Sequence, residues 1–368
     1  MHSDKARELL KKHVEGTLTE EEKAMLESWY LHEAKQNELY VDSDAIEEYL
    51  DESHESTKRN FYRWAGIAAG IVMVFALSFY KWNSTKSVEI AQETIKNDAL
   101  PGDYRAELTL ASGETILLGK AKTGKLAQEG STSIIKTKDG EITYDSESLS
   151  NTTGGLNTIQ TPKAGQFQVV LSDGSVAWLN AESSIRFPSA FASDERVVEV
   201  SGEVYFEVNK AVNAGKKIPF RVKSGNQTVE VLGTRFNINS YGDEGVIKTT
   251  LLEGSIQVNA NLKKGIILKP GQQSQLSSKQ ALKVSDVNTS QVMAWKEGYF
   301  RFEGIGIKEL MQHISRWYDM EIEYQGEVGE HEFVGEIPRN TRLSAVLKIL
   351  EASGIKFKVE GKKIIVTE

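Results

Sequence analysis

The spacing of apolar residues changes three times along the chain. In residues 1–62 they recur at three and four positions, the period of a helix face. Ala6, Leu9, Leu10, His13 and Val14 form one stripe, between Ser3 as a cap and Gly16 as a stop. Thr19-x-x-Glu22 is a capping box. It opens a second helix with Met25, Leu26, Trp29 and Tyr30 on its apolar side. Asp44 with Glu47 starts a third, backed by Ile46, Tyr49 and Leu50. These short helices predict a small all-α unit over 1–62. Trp64 to Tyr80 then contains no charged residue, and Arg63 and Lys81 fence it. At about 1.5 Å per residue this run spans roughly 26 Å, just enough for a hydrocarbon core of about 27–30 Å. Trp64, Tyr80 and Trp82 stand where amphipathic rings favour the headgroup boundary. Residues 63–82 therefore read as a single transmembrane helix in contact with the lipid bilayer.

Beyond it the pattern is mixed. Residues 83–103 are polar and read as a tether ending near Pro101-Gly102. From 104 to 290 short alternating runs separated by glycine turns predict an all-β domain, solenoid-like or sandwich-like. Leu108-x-Leu110-x-x-Gly113-x-x-x-Leu117-Leu118 is echoed 61 residues later by Val169-x-Leu171-x-x-Gly174-x-x-x-Trp178-Leu179. Val198 to Val208 alternates most cleanly. Val198, Val200, Val204, Phe206 and Val208 share one face, and Glu199, Ser201, Glu203, Tyr205 and Glu207 the other. Gly202 within it marks a bulge or a close approach. Residues 291–368 combine both periods as βαβ followed by βαββ, an α+β domain. Its first helix carries Ile307, Leu310, Met311, Ile314, Trp317 and Tyr318, and its second Leu343, Val346, Leu347 and Leu350.

Charge sharpens this division. The chain has a formal charge of −8, yet residues 1–57 hold 6 Lys/Arg and 16 Asp/Glu, or −10. So acidic an arm suits a basic partner surface, or else a bundle with a solvated face. Basic residues flank the apolar run equally: Lys58, Arg59 and Arg63 before it, Lys81, Lys86 and Lys96 after it. Charge alone therefore leaves the orientation nearly open. The absence of cysteine removes disulfides, thiolate catalysis and cysteine-ligated zinc. His2, His13, His32 and His54 lack metal-like spacing, and His313 and His331 stand alone, so no metal or cofactor is expected. Glu199, Glu203 and Glu207 invite a glycosidase reading. However, four residues of strand cover about 13 Å, against roughly 5–9.5 Å for paired glycosidase carboxylates. They read instead as a solvated face. No histidine lies between 104 and 290, so no histidine-based triad forms there.

Several separated motifs then occur in one order. They are Thr161-Pro-Lys-Ala-Gly-Gln166, Val170-Leu-Ser-Asp-Gly-Ser175, Trp178-Leu-Asn-Ala-Glu-Ser-Ser184, Glu199-Val-Ser-Gly-Glu-Val-Tyr-Phe-Glu-Val208, Val231-Leu-Gly-Thr-Arg-Phe-Asn237 and Leu252-Glu-Gly-Ser-Ile-Gln-Val258. Together they resemble FecR-type transmembrane anti-sigma regulators, and the arm resembles that family's short sigma-binding segment. The resemblance implies an inner-membrane, single-pass protein with a cytoplasmic N-terminus and a periplasmic C-terminal region. It implies an extracytoplasmic-function sigma factor held by the arm through Leu9, Leu10, Val14, Met25, Leu26, Trp29 and Tyr30. It implies a signal from a TonB-dependent outer-membrane transducer and release through site-specific proteases, without direct DNA binding. Some relatives self-cleave at a Gly-Thr bond by hydroxyl attack on the preceding carbonyl. The matching pair here is Gly233-Thr234, and the alternative is a plain turn. The C-terminal domain resembles the secretin/TonB short N-terminal type, whose edge strand can pair with another chain. Trp295, Phe300 and Phe302 are its expected transducer contacts. No small-molecule catalysis is expected. The rival reading is a membrane-tethered periplasmic module that binds glycan or cell-wall material, which an exposed aromatic cleft on the β region would favour.

Overall fold

The computed structural model describes residues 98–146, 154–260, 265–277, 279, 281–326, 328–329 and 331–367. The expected sigma-binding residues and the membrane boundary at Arg63, Trp64, Tyr80, Lys81 and Trp82 lie outside the described residues. Among the described residues no helix is long and apolar enough to cross a membrane. All of them belong to one unit, Ala91–Glu368.

Nineteen of the described strands join in one curled sheet. It runs as two rows that share the strand Arg196–Glu207. The first half of this strand pairs with Ser183–Pro188 and Phe220–Ser224. Its second half pairs with Val176–Leu179 and Arg235–Ser240. The switch occurs at Gly202, with φ +75°. A Cβ there would lie 2.4 Å from Ser183 Oγ and 2.6 Å from the Glu182 carbonyl. Only glycine fits both the conformation and the space. The rows face each other across one core, in which Tyr144 meets Phe187 at 4.9 Å and Phe206 meets Phe220 at 6.0 Å.

The internal echo is a repeated hairpin, one copy in each row. Leu110 N–H donates to the Glu114 carbonyl and Gly113 N–H to that of Leu110, at 2.8 and 2.9 Å. The bonds from Leu171 to Ser175 and from Gly174 to Leu171 are both 2.8 Å. Gly113 and Gly174 have φ +87° and +75°, the left-handed turn position that glycine favours. In the second copy Asp173 accepts from Ser175 N–H at 2.9 Å and binds the fully buried Arg196 at 2.5 Å. The turn is thus tied to the shared strand.

The C-terminal region follows the expected βαβ-βαββ order. After a short helix α1 (Thr289–Met293) come the strand Tyr299–Gly306, α2 (Ile307–Tyr318) and the strand Glu321–Tyr324. The strand Glu332–Pro338, α3 (Leu343–Leu350) and the strands Lys356–Glu360 and Lys363–Thr367 complete it. Pairing splits these strands into two small sheets, 299–306 with 332–338 and 321–324 with 363–367 and 356–360. Both helices bury the stripes read from the sequence.

The expected tether, 83–103, differs at its end. Residues 98–103 are docked: Asp98 and Ala99 bond to the start of α3, and Asp103 pairs with Gly165. A stretch without periodicity gave no sign of this, because its partners are distant in sequence: Ser344 is 246 positions from Asp98, and Gly165 lies far beyond Asp103.

Candidate functional site at the junction of the two regions

The outer face of the second row carries side chains that sheet periodicity assigns to solvent. The C-terminal region covers them. Glu203 and Tyr205 are therefore buried, Glu203 to 5% exposure, while Glu199 stays open and Glu207 is half-buried. This corrects the reading of a solvated carboxylate face. The alternation was right, but a second domain occupies the outer side.

Glu203 accepts from Asn180 Nδ2 at 2.8 Å and from Asn237 Nδ2 at 3.0 Å. Burial pushes its carboxyl above the ordinary 4.5, while the two amides and Arg339 act against that rise. Arg339 follows the strand Glu332–Pro338 and is itself buried. Its Nη2 donates to Asn180 Oδ1 at 2.9 Å, and its Nη1 to the Trp295 carbonyl at 2.9 Å. Its guanidinium lies 3.6 Å from the centre of the Trp317 ring, and Trp317 Nε1 donates to the Arg339 carbonyl at 2.7 Å. Burial lowers the Arg339 guanidinium from its ordinary value to about 10, so it remains a cation at neutral pH. Asn180 thus relays between an acid of the β region and a base of the C-terminal region.

A second lock stands beside it. Arg316 on α2 donates through Nη2 to both Asp243 oxygens, at 2.5 and 2.7 Å, and through Nη1 to Glu244 at 3.3 Å. Its guanidinium lies 3.6 Å over Tyr241, whose hydroxyl donates to the Ala181 carbonyl at 2.6 Å. Asp243 and Glu244 occupy the short turn Gly242–Glu244, held outward from the sheet. A third contact places Lys296 over Trp178 and Tyr205, at 4.2 and 4.5 Å, with Glu207 at 3.5 Å. It closes over the Trp178–Tyr205 aromatic pair, whose ring centres are 5.4 Å apart.

Between the locks lies a cavity of about 240 Å³. Asn237 Oδ1, Trp295 Nε1 and Arg339 Nε belong to its walls and have no hydrogen-bond partner among the described residues. No cluster of histidine, aspartate or glutamate with metal-site geometry occurs among the described residues. The junction can hold two regions together through desolvated charges.

The residues expected to meet a transducer fall in different places. Phe300 and Phe302 point into the C-terminal core, stacked at 6.2 Å. Tyr299, Arg301 and Glu303 are the outward residues of that strand, because alternate side chains face opposite ways. Trp295 is half-buried in the cavity wall. On the neighbouring strand Val334 is 82% exposed. At the candidate cleavage bond, Thr234 is buried and its hydroxyl donates to the Ser255 carbonyl at 3.1 Å. Its N–H and C=O pair with Val208. Gly233 has no left-handed φ, so no strain is stored there. The structure brings Thr234 beside Gly254, and the side chain of Lys210 lies against Gly233.

Asn180, Glu203, Asn237, Arg316 and Arg339 were given no role from sequence. Three of them lie within the motifs quoted above, and Arg316 adjoins the apolar stripe of α2. An arginine next to such a stripe was the available signal.

The comparisons with known proteins fit this architecture. The model for the FecR protein family matches residues 157–257, and that for the FecR C-terminal domain matches residues 299–366. No curated protein sequence matches the chain. Two crystal structures of a candidate anti-sigma factor from Parabacteroides distasonis ATCC 8503 are similar to it, each at 29% identity. The structure at 1.65 Å has a TM-score of 0.51, covering 57% of this chain and 97% of its own. The structure at 2.50 Å has a TM-score of 0.52, covering 58% and 99%. The chain thus carries a FecR domain at 157–257 and a FecR C-terminal domain at 299–366, on a fold similar to that of a solved structure at 29% identity.

Proposed function

We propose that the chain is a single-pass inner-membrane anti-sigma factor. The anti-sigma role is carried by one observation: the two FecR domains occur together on a fold similar to a solved candidate anti-sigma factor. In this reading residues 1–62 hold an extracytoplasmic-function sigma factor in the cytoplasm. Their apolar stripes dock on sigma helices, while the −10 charge of residues 1–57 competes for surfaces that would meet promoter DNA. Residues 63–82 cross the bilayer, and the rest receives a signal from a TonB-dependent transducer in the periplasm. Site-specific proteolysis then frees the sigma factor. Strand addition at the C-terminal sheets is the favoured mode of transducer contact. Lys356–Glu360 ends one sheet, and Val334 stands out beside the other.

The test is capture of the solubilised full-length chain from its native host, with mass spectrometry of what co-purifies. A sigma factor retained one-to-one supports the reading. A cleanly recovered chain without any sigma factor overturns it in favour of the tethered binding module. The Trp178–Tyr205 pair, closed over by Lys296, already argues against that module.

A further inference from the structure

Building on the membrane and proteolysis reading above, we propose that residues 98–104 form a strap. By holding or releasing it, the C-terminal region sets whether an endoprotease can cut the chain just outside the membrane.

The strap is fastened at both ends and in the middle. Helix α3 begins after Arg342, whose side chain makes no capping bond. The first free N–H groups of the helix are instead satisfied from 246 positions earlier in sequence. Asp98 Oδ1 accepts from Ser344 N–H and Asp98 Oδ2 from Ser344 Oγ, both at 3.0 Å. The Ala99 carbonyl accepts from Leu343 N–H at 3.2 Å. Arg342 Nη1 lies 3.6 Å from the same carboxylate. Asp98 thus serves as a cap supplied by another part of the chain, and its negative charge sits at the positive end of the helix. In the middle, Gly102 lies flat against the Trp317 ring, where a Cβ would come within 2.7 Å. At the far end Asp103 and Tyr104 pair in parallel with Gly165 and Gln166 of the β region. Ala164 closes the circuit, accepting from Asp103 N–H and donating to the Arg316 carbonyl of α2.

The strap therefore touches α3, α2 and the β sheet in succession. It begins 16 residues after Trp82, where the expected membrane span ends. Any partner that shifts the C-terminal region relative to the β region strains the Asp98 cap or the strand pairing. Endoproteases bind an extended backbone whose N–H and C=O groups are free, and here the Ala99 carbonyl, the Asp103 N–H and the paired backbone of Asp103 and Tyr104 are taken at the two ends of the strap. Cleavage consumes one water, breaks one peptide C–N bond and leaves a carboxylate and an amine. It would separate the arm and membrane span from everything after the cut. The catalytic groups belong to the protease. This chain supplies only the choice between a closed and an open substrate.

The test uses the full-length chain in lipid nanodiscs, with subtilisin as probe and mass spectrometry to locate cuts. In the wild type, cutting between 98 and 104 is expected to be slow. Asp98→Ala combined with Ser344→Ala removes one cap, which raises the open population about 5- to 30-fold and cutting in that stretch by the same factor. Cutting elsewhere is expected to change less than twofold. The chain has no cysteine, so Asp98→Cys with Ser344→Cys creates its only thiol pair. The oxidised form is expected to resist cutting in the strap, and reduction to restore it. Equal strap cutting in wild type and the alanine variant overturns the proposal. Equal cutting of the oxidised and reduced cysteine forms does the same. If the alanine variant is cut throughout because it fails to fold, the comparison within the cysteine variant decides. None of these rates depends on sigma-factor capture, so the two readings fail separately.

Discussion

Replacing Arg339 with methionine keeps most of the stem and removes the guanidinium. The hydrogen bonds to the Trp295 carbonyl and to Asn180 Oδ1 are lost, charge-assisted bonds of about 1.5–3 kcal/mol each. The cation over Trp317 is lost as well, a contact of up to about 2 kcal/mol when desolvated. Relief from desolvating the arginine offsets part of this. A net loss of about 3 kcal/mol is expected, roughly 150-fold in the unfolding equilibrium. The more telling quantity is its coupling to Glu203. With Arg339 gone, the buried carboxylate loses the cation that favours its charged form. Glu203→Gln alone is expected to cost under about 1 kcal/mol. It removes a desolvated charge, and Asn237, whose Oδ1 is unpaired, can turn to accept from the new amide. The double variant is then expected to lie about 1–2 kcal/mol above the sum of the singles. Urea unfolding followed by tryptophan fluorescence measures it, since Trp295 and Trp317 both contact Arg339. The sign with pH follows from the raised Glu203 carboxyl. In the window above 4.5 the native state binds more protons than the unfolded chain. The contribution of Glu203 is complete below that value and is lost as pH rises through its elevated folded one. Glu203→Gln should flatten this slope, and Arg339→Met should extend it upward. Additivity within about 0.5 kcal/mol, or an unchanged pH slope in Glu203→Gln, would refute the relay through Asn180.

Other outcomes follow from single positions. Gly202→Ala should cost more than about 3 kcal/mol in the same urea assay. It combines about 1–2 kcal/mol for a left-handed conformation with a backbone clash at the Glu182 carbonyl. In a purified binding assay Leu10→Asp and Trp29→Asp should each weaken sigma-factor binding, and normal binding by both would refute docking through the apolar stripes. Intact mass should show the chain uncut at Gly233-Thr234, because the Thr234 hydroxyl is spent on the Ser255 carbonyl. A fragment ending at Gly233 in the wild type, and absent from Thr234→Ala, would reverse that expectation.

How much of this was legible depended on the range of the interaction. The repeated hairpins could be read because their turns are local: Gly113 and Gly174 each close a bond within a few residues. The α2 and α3 stripes could be read because helix period alone decides which side is apolar. The Val198–Val208 alternation gave the correct inner face and the wrong fate for the outer one. Period assigns a side chain to a face and says nothing about a domain that later covers that face. Phe300 and Phe302 show the same gap from the other direction. They were chosen as contacts for being aromatic, yet their alternation places them inside. The Asp98 cap was beyond any local pattern, since its partner is 246 residues away.

The faces that joined the two regions were misread for a physical reason that bears on function. An apolar junction would have announced itself as a hydrophobic stripe, and once formed would be hard to separate in water. This junction is built instead from Glu203, Arg316, Arg339, Asp243 and the amides of Asn180 and Asn237, groups that water solvates well when exposed. Separation exchanges internal hydrogen bonds for bonds to solvent, so its cost is small compared with exposing a comparable apolar area. Closed, the same groups demand one geometry, because a buried charge off its partner is penalised heavily. The regulator proposed above, shut without signal and open on contact, would need both properties. A polar junction beside the strap supplies them, and it is the reason the sequence there looks like ordinary surface.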